Sequence, residues 1–232
     1  MPSFATRIDS RLWFPDPRTA IRQGPLGGLV AVGGDLRPER LLLAYRSGLF
    51  PWTVDPITWW SPNPRGILEL GHLHISRSLQ RTLRRKPFEV TRDRAFAPVM
   101  QGCAQAPRPG GWISPQFIDA YTELFRLGHA HSVECWQNGE LVGGVYGVAI
   151  GAVFAGESMF HRVSDASKVA LVHLHNHLLE RGYQLFDIQM VTHATAALGA
   201  LEIPRDEYLR RLAAAVAVPC PFDGQDCRRE TG

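Results

Sequence analysis

The stretch HSVECWQNGELVGGVYGVAIGAVFAGESMF, residues 131–160, decides the fold. HSVECWQ and ELVGGVYGVA are strand-like runs on either side of Asn138-Gly139. Asn-Gly between two such runs signals a hairpin, because both residues tolerate the left-handed backbone that a tight turn of this kind demands. AVFAGESMF follows Ile150-Gly151, a second point of reversal. The stretch therefore predicts a three-stranded antiparallel meander. Its many glycines allow a ligand or another backbone to come close.

Working outward toward the C-terminus, DASKVALVHLHNHLLERG (165–182) reads as a helix ending at Gly182, and YQLFDIQMV (183–191) alternates as a strand. DEYLRRLAAAVAV (206–218) reads as a last helix before a polar tail. Toward the N-terminus, SPQFIDAYTELFRLG (114–128) is a fully punctuated helix: Ser114 caps it, Pro115 suits its first turn and Gly128 its end. Phe117, Ile118, Tyr121, Leu124 and Phe125 form its apolar stripe. ISRSLQRTLRR (75–85) predicts a helix capped by Ser76 or Ser78, LVAVGGDL (29–36) a short strand, and PERLLLAYRSG (38–48) a helix. FPWTVDPITWWSPNPR (50–65), with four prolines and three tryptophans, is expected to be a rigid aromatic loop. A boundary near Pro62 would divide the chain into a small N-terminal domain, 1–62, and a larger one, 63–232. Strands and helices in this order predict an α+β class, with a mainly antiparallel sheet flanked by helices.

The 232 residues, 45% hydrophobic and 20% charged, suit a globular chain with a real core. No apolar run reaches eighteen residues, and the N-terminus MPSFATRIDSRLWFPDP lacks a signal-peptide core. A cytoplasmic protein with no membrane partner is expected. Cys103, Cys135, Cys220 and Cys227 form no Cys-x-x-Cys pair and are expected to be free thiols. The net charge of +3 is mild. Its distribution is not: Arg77, Arg81, Arg84, Arg85, Lys86, Arg92 and Arg94 crowd one segment in which Glu89 is the first acid. That describes either a solvated helix face or a patch that binds phosphates.

Three groups of residues carry candidate chemistry. Asp187 and Gln189 stand two apart, so a strand places both on one face and Phe186, Ile188 and Met190 on the other. An Asp beside an amide can polarise it or orient a nucleophile, which is general-base-type chemistry. The pattern alone also fits a solvated strand face. Glu157 sits in an otherwise apolar, glycine-rich strand, either at a wet end or facing a site, where a substrate cation would be its partner. Trp52, Trp59, Trp60 and Trp112 either pack the proline-rich segment or stack on a nucleobase. His173, His175 and His177 read as a polar helix face, since only His173 and His177 share a side and no His-Glu-x-x-His arrangement occurs.

FPW (50–52), WWSPNPR (59–65), HISRSL (74–79), AYTELFRLGHAHSVECW (120–136), LVGGVYGVAIGAVFAGESMF (141–160), ASKVAL (166–171), DIQ (187–189) and LGALEIPR (198–205) together resemble the leucyl/phenylalanyl-tRNA–protein transferases. The resemblance covers about residues 4 to 212. It implies a small N-terminal domain joined to a larger one similar to the acetyltransferases (GNAT-like). It implies transfer of Leu, Phe or Met from aminoacyl-tRNA to proteins with N-terminal Arg or Lys, marking them for degradation. A monomer with neither cofactor nor metal is expected. By the same resemblance Asp187 and Gln189 are the catalytic pair that activates the attacking amine. Glu157 lies at the acceptor or aminoacyl site, and Trp52 and Trp112 lie around the terminal adenosine, with Tyr45 and Tyr121 shaping that site. Val145, Phe154, Leu171, Leu174, Leu178 and Phe186 line the pocket for the apolar side chain. Arg77, Arg81, Arg84 and Arg85 become the residues expected to bind tRNA. Two positions depart from the family pattern: Ala194 stands where relatives usually carry His, and Ala197 where Ser is common. An acyl-coenzyme A-dependent N-acetyltransferase would share the fold, but the Arg/Gln-x-x-Gly-x-Gly/Ala pyrophosphate loop is missing from the sequence. A non-catalytic tRNA-binding protein and a peptidoglycan-bridge aminoacyltransferase remain as further alternatives.

Overall fold

The Asn138-Gly139 turn forms as expected, with φ of +54° and +81° at its two residues. It joins two neighbouring strands of a larger sheet in the computed structural model, which describes residues 5–107 and 111–223.

The chain first builds a four-stranded sheet and one helix: β1 (Thr6–Ile8), β2 (Leu29–Gly33), α1 (Pro38–Arg46), β3 (Phe50–Val54) and β4 (Ile57–Trp60), in the order β1-β2-β4-β3. The stretch 50–65, expected to be an irregular loop, is thus largely a hairpin. Proline is tolerated because β3 is an edge strand, where Pro51 need not donate to a second neighbour. The inner strand β4 has no proline, and its fully buried Trp59 donates its indole N–H to the Gly33 carbonyl at 2.9 Å.

The remaining elements are β5 (Arg65–Leu68), α2 (Arg77–Arg85), β6 (Glu89–Arg92), α3 (Phe96–Gln105), α4 (Pro115–Arg126), β7 (Ala130–Gln137), β8 (Glu140–Ile150), β9 (Val153–His161), α5 (Ala166–Arg181), β10 (Leu185–Gln189), α6 (His193–Ala196), β11 (Leu201–Ile203) and α7 (Arg205–Val216). They form a seven-stranded sheet ordered β11-β5-β10-β9-β8-β7-β6. Every pairing is antiparallel except β9–β10. The α+β class is as the sequence predicts. The helix ends also obey their local signals. The Ser76 and Ser114 hydroxyls accept from the N–H groups of Leu79 and Phe117, and Gly182 closes α5 with φ +85°.

Alternate residues of β8 show the two faces of this sheet. Val145 joins an apolar cluster with Val169, Leu171 and Leu178 of α5, while Tyr146 and Val148 join one with Val99 of α3 and Phe117 and Tyr121 of α4. The second cluster also takes in Leu41 and Tyr45 of α1 and Trp59 of β4, so the N-terminal sheet shares its core with α3 and α4.

Two expectations need correction. His175 and His177 are buried, and only His173 of the three is exposed. The Gly71 N–H donates to His175 Nε2 at 3.2 Å, and His177 Nε2 donates to the Phe222 carbonyl at 2.9 Å. The end of the described chain lies back over α5, with the Phe222 ring 4.6 Å from that of His177, which no local pattern in the helix reveals. Cys103 and Cys135 are buried thiols outside any disulfide, as expected, but Cys220 is disulfide-bonded. Cys227 lies outside the described residues.

Candidate active site

The parallel strands β9 and β10 are paired only from Leu185–Val153 to Asp187–Ala155, and beyond that point they part. Both are irregular just past it. On β9, Glu157 is the extra residue where the register against β8 passes from Gly147–Gly156 to Tyr146–Ser158. On β10, Ile188 is the extra residue between Asp187–Ile67 and Gln189–Gly66, and Gln189 takes φ +57°. A bulge bends its strand and re-aims the side chains around it. The β9 bulge depends on glycine opposite: a Cβ on Gly147 would stand 2.3 Å from the Ala155 carbonyl oxygen.

The parting of the strands opens a cavity of about 340 Å³, walled by Val145, Met159, Leu171, Phe186, Ile188 and Met190, with Thr192 and Thr195 of the α6 region at its polar rim. A smaller space of about 70 Å³ lies against the N-terminal sheet, walled by Phe50, Pro51, Trp52, Trp112 and Gln189. Glu157 and Met190 line both. Trp52 is held in place by edge-to-face packing on Trp60, centroids 5.1 Å apart.

Glu157 is therefore at the junction. Its Oε1 accepts from the Gln189 side-chain amide at 2.7 Å, and its Oε2 from the Tyr121 hydroxyl at 3.5 Å. The hydroxyls of Tyr121 and of Tyr45, which α1 brings in from the N-terminal part of the chain, hydrogen-bond to each other. Solvent reaches Glu157 through the cavities, yet its carboxyl lies deep. Burial pushes its pKa up to about 8, and Asp187 adds to this, against the lowering effect of the Tyr45, Arg65 and Gln189 interactions. Burial, with the nearby Glu157 charge, also raises both tyrosines well above the ordinary phenol value.

Asp187 is in a different situation. It is 1% exposed and turned toward Arg65, which is fully buried. Arg65 Nε donates to Oδ1 at 2.8 Å and Nη2 to Oδ2 at 2.6 Å. The Tyr208 hydroxyl donates to Oδ2 at 2.8 Å, and the backbone N–H of Gln189 to Oδ1 at 2.9 Å. All four acceptor directions of the carboxylate are thus taken. The two residues of the Asp-x-Gln pair do not act on one open face. The bulge leaves the Gln189 amide pointing to Glu157, while Asp187 is joined to it through the backbone N–H.

Of the residues expected to line the apolar pocket, Val145, Leu171 and Phe186 do so, whereas Phe154, Leu174 and Leu178 belong to the packed core behind it. Trp52, Trp112, Gln189 and Glu157 come together as expected, and Trp59 is core. The sequence reading missed Arg65, Tyr208, Met159, Thr192 and Thr195. Arg65 carried one weak signal, as the single basic residue of a proline-rich run. Ala194, where relatives usually have His, lies inside α6, whose Thr192 and Thr195 form a reciprocal capping box. Arg77, Arg81, Arg84 and Arg85 are exposed on α2 and form no ion pair among the described residues, in contrast to Arg92 with Asp223 and Arg94 with Glu89.

Known proteins resemble this chain over most of its length. A family model described as leucyl/phenylalanyl-tRNA protein transferase matches residues 67–213, and one described as the N-terminal domain of that transferase matches residues 34–63. Among curated proteins, a leucyl/phenylalanyl-tRNA–protein transferase from Solidesulfovibrio magneticus is 54% identical over 220 residues, 93% of this chain and 87% of its own. One from Nitrosospira multiformis is 54% identical over 88% of this chain and 89% of its own, and one from Escherichia coli O1:K1 / APEC 50% identical over 86% and 85%. The chain belongs to the leucyl/phenylalanyl-tRNA–protein transferase family.

Proposed function

We propose that this protein transfers Leu, Phe or Met from aminoacyl-tRNA to the N-terminus of proteins that begin with Arg or Lys, in the cytoplasm, so marking them for degradation. The observation that carries the reading is the meeting of two unlike cavities at Glu157. The apolar one has room for an unbranched, γ-branched or aromatic side chain. The tryptophan-walled one offers flat faces to the terminal adenine, an arrangement that stacking stabilises. The ester linking the two would then lie beside Glu157 and Gln189.

An aminoacyl ester is already activated toward an amine, so no covalent enzyme intermediate is needed. The C–N bond forms, the ester C–O bond breaks, the ribose oxygen leaves and the amine gives up a proton. The protein's tasks are to hold the amine against the carbonyl and to manage that proton. Glu157, at about 8, is matched to an N-terminal amine, whose pKa is about 7.7–8.0. The charge of an N-terminal Arg or Lys favours its ionised form. The Gln189 amide orients Glu157, and Asp187 acts through the Gln189 backbone. The exposed arginines of α2 bind tRNA phosphates.

The test uses radiolabelled Leu-tRNA with matched peptides that begin with Arg, Lys or Glu. Label is expected in the first two peptides only. Label in none, or equally in all three, would overturn the reading. For α2, charge reversal at Arg81 and Arg85 together should lower the log–log salt slope of tRNA binding by about 0.7–0.9 for each phosphate that is no longer neutralised. An unchanged slope would put the tRNA elsewhere.

A further inference from the structure

A polar cavity of about 400 Å³ shares no lining residue with the two that meet at Glu157. It is lined by Arg18, Arg22, Asn63, Pro204, Arg205 and Asp206. Three arginines thus face a single carboxylate, and that carboxylate is already engaged: Arg18 Nε donates to Asp206 Oδ1 at 2.7 Å.

Arg205 is the unusual member. It is only 9% exposed, yet among the described residues its side chain makes no hydrogen bond and no ion pair, and its Nε is buried without an acceptor. Buried polar groups almost always have partners, and a buried charge without one is costly. Burial accordingly lowers the pKa of Arg205. Asp206 opposes that effect, and the positive charges of Arg65 and Arg18 add to it. The backbone around the cavity also favours an anion. The Arg205 N–H donates to Asn63 Oδ1 at 2.9 Å, which leaves the Asn63 amide NH₂ as a donor. The twelve-residue helix α7 starts here with Pro204 at its N-cap, which has no side chain able to cap it, and its first turn presents the positive end of the helix dipole. Glu207, the other acid of that turn, is tied to Arg211 at 2.6 Å.

We propose that this cavity binds a phosphate group, with Arg205 as the buried anchor, Arg22 and Asn63 as flanking donors and the N-terminus of α7 behind them. A phosphate has enough acceptor oxygens for several charge-assisted bonds at once, which suits three convergent arginines. The phosphate can come from a backbone phosphodiester of RNA or from a free phosphate compound, and the chemistry of recognition is the same.

The experiment has two arms, and the first needs neither tRNA nor transfer activity. The full chain is melted in increasing inorganic phosphate and, in parallel, in chloride of equal ionic strength. Phosphate is expected to raise Tm beyond chloride and to saturate. Arg205→Gln should abolish the difference and Arg22→Gln should reduce it. Arg22 is exposed, so its variant keeps the test decisive if Arg205→Gln does not fold. The second arm measures the salt dependence of tRNA binding. A slope lowered by about 0.7–0.9 in Arg22→Gln identifies the source as an RNA phosphodiester. An unchanged slope together with the phosphate-specific rise in Tm identifies a free phosphate compound. No phosphate-specific rise with an unchanged slope, or a rise undiminished in both variants, would overturn the proposal.

Discussion

The two sides of β10 treat a buried carboxylate in opposite ways. On one side, Asp187 meets a guanidinium, a phenol and a backbone N–H, and each of its oxygens has two donors. On the other, the hydrogen-bond donors to Glu157 are all neutral, the Gln189 amide and the tyrosines, and burial drives its pKa up to about 8. The chemistry of the side chains is nearly the same, and the surroundings divide their tasks. A carboxylate whose charge is already compensated can hold backbone in place, but it has little left to offer a ligand. A carboxylate without a countercharge is costly to ionise until a cation arrives, and that makes it responsive to one.

This contrast can be broken most directly at Asp187. Replacing it by Ala leaves the fully buried Arg65 without its partner, and removing one member of such a pair costs about 3–5 kcal/mol. Urea unfolding should therefore show a strongly lowered midpoint, and pairing the change with Arg65→Met should recover part of it. A wild-type midpoint for Asp187→Ala would mean that the pair does not support the fold.

A smaller effect, and on activity rather than stability, is expected on the other side. Glu157→Gln keeps the shape and one acceptor oxygen, for the Gln189 amide, but turns the other acceptor into a donor NH₂ and cannot ionise. The loss in kcat/KM for an Arg-initiated peptide should be about 1.5–3 kcal/mol, the worth of a hydrogen bond to a charged group, or roughly ten- to a hundredfold. Unchanged kinetics with both substrates would remove Glu157 from the reaction. If the unfolding midpoint fell as far as it does for Asp187→Ala, the division of labour itself would fail.

The finest test is pH. The folded pKa of Glu157 lies above the ordinary 4.5, so the folded chain holds this proton more tightly than the unfolded chain. The stability that results is fully present below about pH 4.5 and is lost as pH rises toward about 8. Relative to Glu157→Gln, wild-type stability should fall across that window and then level off. Denaturation of both proteins at several pH values measures it. A constant difference between them would show that the carboxyl titrates normally.

Much of the scaffold around this site was legible locally. Asn138-Gly139, Ser114-Pro115 and Gly182 each act within a turn or a single helix end, and each produced the element expected. Trp52, Trp112, Glu157 and Gln189 stand out in the sequence as site residues and do converge. The hairpin at 50–60 was not legible, because a proline count cannot tell an edge strand from a loop until the strand order is known. The burial of His177 escapes a local reading because the segment that covers it lies 45 residues further along the chain.

The sequence by itself determined the central meander, the main helices around it, the α+β class, the family and the short list of side chains that could do chemistry. Local backbone preference and motif order are enough for these. Only the tertiary structure decided which carboxylate is compensated and which is poised. Asp187 obtains its guanidinium from a residue 122 positions away, and the phenol that reaches Glu157 is 36 positions away, on a different helix. Ionisation depends on desolvation and on charges within a few ångströms, and those neighbours are set by how strands and helices pack rather than by what stands beside a residue in the chain.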